Sequence, residues 1–434
     1  MSNMCKPFFI NSNICINSSD ISTFEVFMNS IAGNTGNSYI TYALIKELFG
    51  GLINIRHIQN IYTYNFDKSQ EDIDYINNDT THVFLILQDQ IRTRESYGLK
   101  LPYKKIMDFI SKLNKSVIVA GLGANSFNGF EADFHKKLDP ELIRFLQFIS
   151  EHCIEIGIRG HFTEEILHKI GINNVRVIGC PSFYETGKNR VITKNKNILS
   201  KDILLTSKLH TFRTKFHKIM QDFIEQEVIK NIAFGHNNPL NIEQYFDIKN
   251  KRCHIFSNIE EWKNFVKNFS FAVGYRLHGT ILAINSGVPA LCMNGDSRAT
   301  EMCEFLKIPH NPNLNIQKER DIIDIYEQLD YTELNNNYPK LYDNFVNFIN
   351  KNNLQLFEQK VEHNIIEHQK YISQPSLILY KKDISFIKLI FKVICNPKEF
   401  IKEIIKFTFN IKTIEIKEDY RIIQILCFKI RRKR

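Results

Sequence analysis

Apolar residues in this chain fall into short runs and one-sided helical periods, and the two alternate in a regular order. A turn-rich stretch, Asn34-Thr35-Gly36-Asn37-Ser38, leads into a helical pattern with Ile40, Ala43, Leu44 and Leu48 on one face. A strand at 83–87, a helix over 103–113 and a β-branched run at 117–119 follow, the last emptying into Gly121-Leu122-Gly123. The pattern then predicts a helix at 141–151, a strand at 154–158, a helix at 162–169 and a strand at 175–178 that ends in Gly179-Cys180-Pro181-Ser182. Such alternation of strand and helix predicts a parallel sheet.

A polar stretch rich in Lys and Asn, 186–201, reads as a linker, and a second series begins after it. It predicts strands at 203–205, 232–234, 254–256, 271–273 and 289–293, with helices at 212–228, 259–266, 280–285 and 297–306. The strand at 271–273 runs into Tyr275-Arg276-Leu277-His278-Gly279, and from 330 to 374 the pattern is long and helical. The expected fold class is α/β, with two Rossmann-like domains facing a central cleft. An N-terminal segment (1–28) precedes the first domain (29–185), and the linker leads to the second (202–330), a long helical segment (331–380) and a tail (381–434). In open parallel sheets ligands bind at the carboxyl ends of the strands, and every glycine-bearing turn above falls at such a junction.

Composition supports two cores, with 43% apolar residues over 434 positions. The nine cysteines stand singly with no C-x-x-C pair, so the sequence predicts a reducing compartment and no metal site. Residues 1–20 lack the basic and apolar regions of a signal peptide, and no apolar run reaches the ~20 residues of a membrane helix, which predicts a cytoplasmic protein. Charge is uneven: 381–434 carries 15 Lys/Arg against 6 Asp/Glu, whereas the rest of the chain balances at 41 of each. In that tail Lys388, Lys392, Lys402 and Lys406 recur among Ile and Phe, and the chain ends Arg431-Arg432-Lys433-Arg434. Either this segment docks on an anionic membrane surface, or its apolar face packs on the protein with the basic end solvated. The neutral body argues against nucleic acid as a partner, and oligomeric state cannot be read from the sequence.

Arg276 and His278 sit two apart on a strand-to-helix turn, where an extended backbone points both towards the cleft and Gly279 and Thr280 open the next helix. The arrangement suits an anionic substrate with a proton donor beside it; the alternative is a capped carboxylate and a satisfied turn histidine. Asp296 or Ser297 caps the helix that carries Arg298 and Glu301, and Arg298 either pairs with Glu301 or holds an anion. Asn34, Gly36 and Asn37 either offer backbone N–H groups to a phosphate or sugar or form a plain turn. Arg159 either enters the cleft or pairs with Glu164 or Glu165. Gly121 and Gly123 lack the third glycine and the acidic partner of a dinucleotide site. Cys180 reads as a small buried residue rather than a nucleophile. The residues expected around a substrate are thus Asn34, Gly36, Asn37, Gly123, Arg159, Gly279, Thr280, Arg298 and Glu301, with Arg276 and His278 expected to be catalytic.

Five ordered blocks resemble the polysaccharide pyruvyl transferase family: 34–37, 121–124, Ile158-Arg159-Gly160-His161-Phe162-Thr163, 177–182, and 276–279 with Asp296, Ser297, Arg298 and Glu301 behind it. The resemblance implies a two-domain fold of the GT-B type and transfer of pyruvate from phosphoenolpyruvate to a sugar as a ketal, with Arg276 and His278 in donor binding and catalysis. It implies no cofactor, phosphoenolpyruvate being a substrate, and a glycan acceptor, lipid-linked if the tail holds the enzyme at the inner membrane face. A second basic residue for the donor is expected from the start of the second domain, where Lys208, His210 and Arg213 lie. A glycosyltransferase using a nucleotide-activated sugar fits the same loops, and a non-catalytic glycan-binding protein is the reading from another class.

Overall fold

A computed structural model describes residues 6–14, 23–49, 58–59, 70–93, 101–126, 129–195, 198, 202–206, 216–220, 251–314 and 316–357. The tail at 381–434, the end of the long helical segment, Lys208, His210, Arg213 and the strand expected at 232–234 lie outside these residues.

The first domain holds strands β1 (Pro7–Ile10), β2 (Ile58–Gln59), β3 (His82–Leu85), β4 (Ser116–Ile118), β5 (Ala120–Leu122), β6 (Ile156–Ile158) and β7 (Val175–Val177). Its helices are α1 (Phe24–Ser30), α2 (Thr35–Phe49), α3 (Gln70–Asp79), α4 (Tyr103–Ile110), α5 (Pro140–His152) and α6 (His161–Lys169). The second holds β8 (Ile203–Leu205), β9 (His217–Met220), β10 (Cys253–Ile255), β11 (Phe271–Gly274) and β12 (Ala290–Cys292), with α7 (Ile259–Val266), α8 (Leu277–Asn285), α9 (Ser297–Leu306), α10 (Glu319–Gln328) and α11 (Thr332–Lys351).

All the described strand pairings are parallel, as the alternating pattern requires. Strands such as β11 and β12 are buried along their whole length, which is why they read as unbroken apolar runs rather than alternating ones. In the first domain the orders are β2-β1-β3-β4 and β5-β6-β7. Val119, between β4 and β5, accepts a hydrogen bond from Gly157 N at 2.9 Å and so links the two ladders. The second sheet runs β10-β9-β8-β11-β12. Both orders reverse direction once, between β1 and β3 and between β8 and β11, and such reversals open a crevice at the carboxyl edge.

Two expectations are corrected. Within the helix predicted over 212–228, residues 217–220 form β9, which lies between β8 and β10, while 212–215 and 221–228 lie outside the described residues. Its helical-looking period gives way because sheet pairing on both sides satisfies its backbone while Ile219 enters the core. The N-terminal segment is not separate from the first domain. Pro7-Phe8-Phe9-Ile10 is buried throughout and pairs with both β2 and β3.

The stretch read as a linker is also tied down. The guanidinium of Arg190 lies 4.0 Å from the ring centre of Phe183 and 3.6 Å from that of Tyr338 on α11. It donates to Phe183 O and Asn285 Oδ1. Just before it, the buried Glu185 accepts from Tyr39 Oη on α2 at 2.9 Å and pairs with Lys46 of α2 at 3.2 Å and Lys263 of α7 at 2.7 Å. One carboxylate therefore joins a helix of each domain. Among the described residues no helix is long and apolar enough to cross a membrane.

Candidate active site

Five of the residues expected around a substrate, together with the expected catalytic His278, come together where carboxyl-end turns of the sheets meet. α8 starts directly after β11, with Arg276 in the extended N-cap conformation and making no side-chain cap to the N–H groups of the first turn. His278 lies in that turn. Its imidazole packs on Gly36 of α2 so closely that a Cβ there would fall 2.6 Å from Nδ1. On its other side His278 Nε2 lies 3.5 Å from Cys180 Sγ, which is itself 3.0 Å from Ser182 Oγ. Burial pushes the Cys180 thiol up, so it meets the ring as a neutral group.

Arg159 follows β6 and is 1% exposed, yet its Nε has no hydrogen-bond partner among the described residues. Gly123 makes room for it, since a Cβ at Gly123 would lie 2.5 Å from Arg159 Cδ. Burial, then Arg159 and Arg298, hold the His278 pKa down at about 3, so the imidazole is neutral at pH 7.

Arg298 at the start of α9 is satisfied, donating to Asp89 Oδ2 and Asp296 Oδ2 at 2.9 Å each. Asp89 follows β3 and also binds Arg92 at 2.6 Å and Asn125 Nδ2 at 2.8 Å. Burial alone would raise its carboxyl, but Arg298, Arg92 and Arg159 pull it well below the usual carboxylate range. α9 thus reaches into the first domain, and Ser297 strengthens the contact by accepting from Ser126 N at 2.8 Å and donating its own N–H to Ser126 O at 3.1 Å.

Glu301, one turn further, accepts from Thr163 N at 2.9 Å and Thr163 Oγ1 at 2.7 Å. It thereby caps α6, whose own N-cap, Gly160, has no side chain to do so. Burial raises the Glu301 carboxyl to about 7 against the pull of Thr163. Neither expected reading for Arg298 names its partners in the structure, which are Asp89 and Asp296 and not Glu301. Arg159 is buried beside Gly123, while Glu164 pairs with His161 and Glu165 with Lys169.

The remaining predicted residues shape the turns. Asn34 Oδ1 accepts from Gly36 N at 2.8 Å and Asn37 Nδ2 donates to Ala32 O at 3.0 Å. Gly279 and Thr280 are buried in α8, with Thr280 Oγ1 3.5 Å from Arg276 O, and the Arg276 side chain is partly exposed. Sequence reasoning missed Asp89 and undervalued Cys180. The signal of Asp89 in the sequence is a carboxylate two residues past the apolar strand expected at 83–87.

Parallel sheets whose carboxyl-end turns gather two guanidinium groups and a neutral imidazole define an α/β protein with a buried, arginine-bearing site. The chain belongs to the polysaccharide pyruvyl transferase family and is an enzyme of it, the family model matching residues 34–297. That span contains Gly36, Asp89, Gly123, Arg159, Cys180 and His278, and ends just before Arg298. Among solved structures the chain is similar to Methanocaldococcus jannaschii UDP-GlcNAc 2-epimerase in complex with UDP-GlcNAc and UDP, at 14% identity and a TM-score of 0.35 over 69% of this chain and 85% of that one. It is also similar to S. aureus MnaA in a co-structure with UDP, at 11% identity and a TM-score of 0.34 over 86% of this chain and 99% of the other. No curated protein matches the sequence.

Proposed function

We propose that this enzyme, with a GT-B-like pair of domains, transfers pyruvate as a ketal from phosphoenolpyruvate to a sugar of a bacterial surface polysaccharide or its lipid-linked precursor. The observation that carries the reading is Arg159, a buried guanidinium with an unpartnered Nε beside His278 and the uncapped N-terminus of α8. A buried cation without its full set of partners is costly, and an anionic substrate relieves that cost. Phosphoenolpyruvate brings a carboxylate and a phosphate to a place where a guanidinium and the first-turn N–H groups of α8 converge. Arg276, at the mouth of the same turn, guides the second anionic group.

Ketal formation adds one proton to the methylene carbon, attaches two sugar oxygens to the central carbon and releases phosphate. Of the two protons lost by the sugar hydroxyls, one replaces the proton delivered to carbon and the other leaves on phosphate. His278 is the general acid for the carbon, and the helix end stabilises the departing phosphate.

The free enzyme holds His278 neutral, so the acid must gain its proton as the donor binds. The anion offsets the positive field of Arg159 and Arg298 and raises the imidazole from about 3. Donor binding at neutral pH is therefore expected to take up a proton, seen as a calorimetric enthalpy that varies with buffer ionisation enthalpy. Binding with no proton exchange would remove His278 from the acid role.

The direct test of the reaction is to incubate the enzyme with phosphoenolpyruvate or with nucleotide sugars and a glycan acceptor. Acceptor-dependent phosphate release is expected, whereas nucleotide release would point to glycosyl transfer instead. The basic segment 381–434 supports a station on an anionic membrane surface at the cytoplasmic face, where a lipid-linked acceptor is presented.

A further inference from the structure

At the far end of α9 from the cleft, three side chains distant in sequence converge. Cys292 closes β12, Cys303 lies in α9, and His310 pairs with Cys292 in an isolated parallel bridge. The two Sγ atoms and one imidazole nitrogen all lie within 4.8 Å of one another. Cys292 and Cys303 are buried, and His310 is partly exposed.

His310 Nε2 lies 2.6 Å from Asn294 O. A carbonyl can only accept, so Nε2 carries the proton and Nδ1 keeps the lone pair. This is the support that metal-binding histidines characteristically have, their other ring nitrogen anchored on an oxygen. The backbone around the cluster is fixed as well: Cys292 N donates to Pro309 O, Asn311 N to Cys292 O and Ile308 N to Cys303 O, each at 3.0 Å.

We propose that Cys292, Cys303 and His310 form a zinc site that ties β12, α9 and the segment 308–311 together. Two thiolates and an imidazole are the ligand set that borderline-soft zinc favours over calcium or magnesium. Zinc–sulfur and zinc–nitrogen bonds of ~2.3 and ~2.0 Å would draw the three atoms together by small side-chain adjustments. Water completes the tetrahedron on the exposed side of His310. Binding replaces two S–H protons, which leave to solvent, so the apparent affinity rises with pH. The site lies at the base of the helix that carries Arg298 and Glu301, and its role is to hold that helix in place.

The test is a cobalt titration of the full-length protein after chelator treatment. One equivalent of Co²⁺ is expected to give a thiolate-to-cobalt charge-transfer band and tetrahedral ligand-field bands, both bleached by Zn²⁺. Cys303→Ser and His310→Gln should lose the charge-transfer signature or reduce it to a weak, non-stoichiometric one, while Cys153→Ser, a change at a buried cysteine outside the cluster, keeps it. Zinc should also raise the melting temperature of the unsubstituted protein and not that of Cys303→Ser. Absence of a stoichiometric thiolate–cobalt band, or its full retention in both ligand variants, overturns the site. Neither readout depends on turnover, so the site and the proposed reaction can fail separately.

Discussion

Replacing His278 with alanine is expected to reduce pyruvyl transfer by roughly 10²- to 10⁴-fold, the range supplied by a positioned general acid, with little change in melting temperature. The fold is expected to tolerate the loss because the ring's hydrogen-bonding neighbour is only the thiol of Cys180 at 3.5 Å. A companion variant separates chemistry from packing. Gly36→Ala adds a methyl 2.6–2.8 Å from Nδ1, Cγ and Cβ of His278, so the ring must move. Alanine is a better helix former than glycine by about 1 kcal/mol, so α2 itself gains. Displacing the acid by about 1 Å is enough to cost on the order of 10²-fold in kcat. Steady-state kinetics and thermal melts on both variants check this pair, and near-normal turnover in His278→Ala would sink the acid assignment.

The second large effect concerns stability. Glu185→Gln is expected to destabilise the protein by about 3–5 kcal/mol, because it leaves Lys263 charged and buried without the carboxylate that pairs with it. Burial favours neutral Glu185, but Lys263 and then Lys46 outweigh it and lower its carboxyl, while Glu185 in turn raises Lys263 against burial. Lys46 moves the other way: burial and the nearby Lys263 exceed what it gains from the shared carboxylate. One acid serves two ammonium groups, and Lys263 has the stronger hold. Adding Lys263→Met to Glu185→Gln should recover most of the loss, since a buried pair replaced on both sides is close to neutral. The pH sign follows from the lowered carboxyl: its contribution is complete above about pH 4.5, the unfolded value, and is lost as pH falls through the lower folded value. Urea melts of the single and double variants, repeated at acidic pH, provide the check. A loss below about 1 kcal/mol in the single variant would show that water reaches the joint.

Much of this fold was legible because buried parallel strands leave apolar runs and each ends in a glycine or a polar residue at the same sheet edge. That logic singles out Gly36, Gly123, Arg159, His278 and Arg298 as candidates, and the structure brings them to one place. It failed where the deciding contact is distant in sequence. Asp89 acquires its meaning from Arg298, 209 residues away, and no local pattern announces the pair. Glu301 reads as an acidic first-turn residue until Thr163 of the other domain takes both of its oxygens. β9 was hidden because a four-residue strand inside a helical period is decided by its two sheet neighbours. The scattered cysteines showed no metal spacing, yet β12 and α9 fold Cys292 and Cys303 to within reach of His310. Residues 186–195 looked like a solvated connection because their polarity is visible in sequence and the aromatic slot that holds Arg190 is not.

The placement of α9 bears on how members of this family can be recombined. Although α9 follows the strands of the second sheet in the chain, its first two turns are bonded to the loops of Asp89 and Ser126 and to Thr163 in the first turn of α6. A chimera cut at the apparent boundary near residue 190 would inherit Arg298 and Glu301 from one parent and their acceptors from the other. The smallest exchangeable unit is therefore discontinuous, with 296–301 travelling alongside the turns after β3, β5 and β6. Grafts that respect this grouping should transplant the second sheet intact, whereas a clean two-piece swap leaves a buried carboxylate facing whatever the new parent supplies.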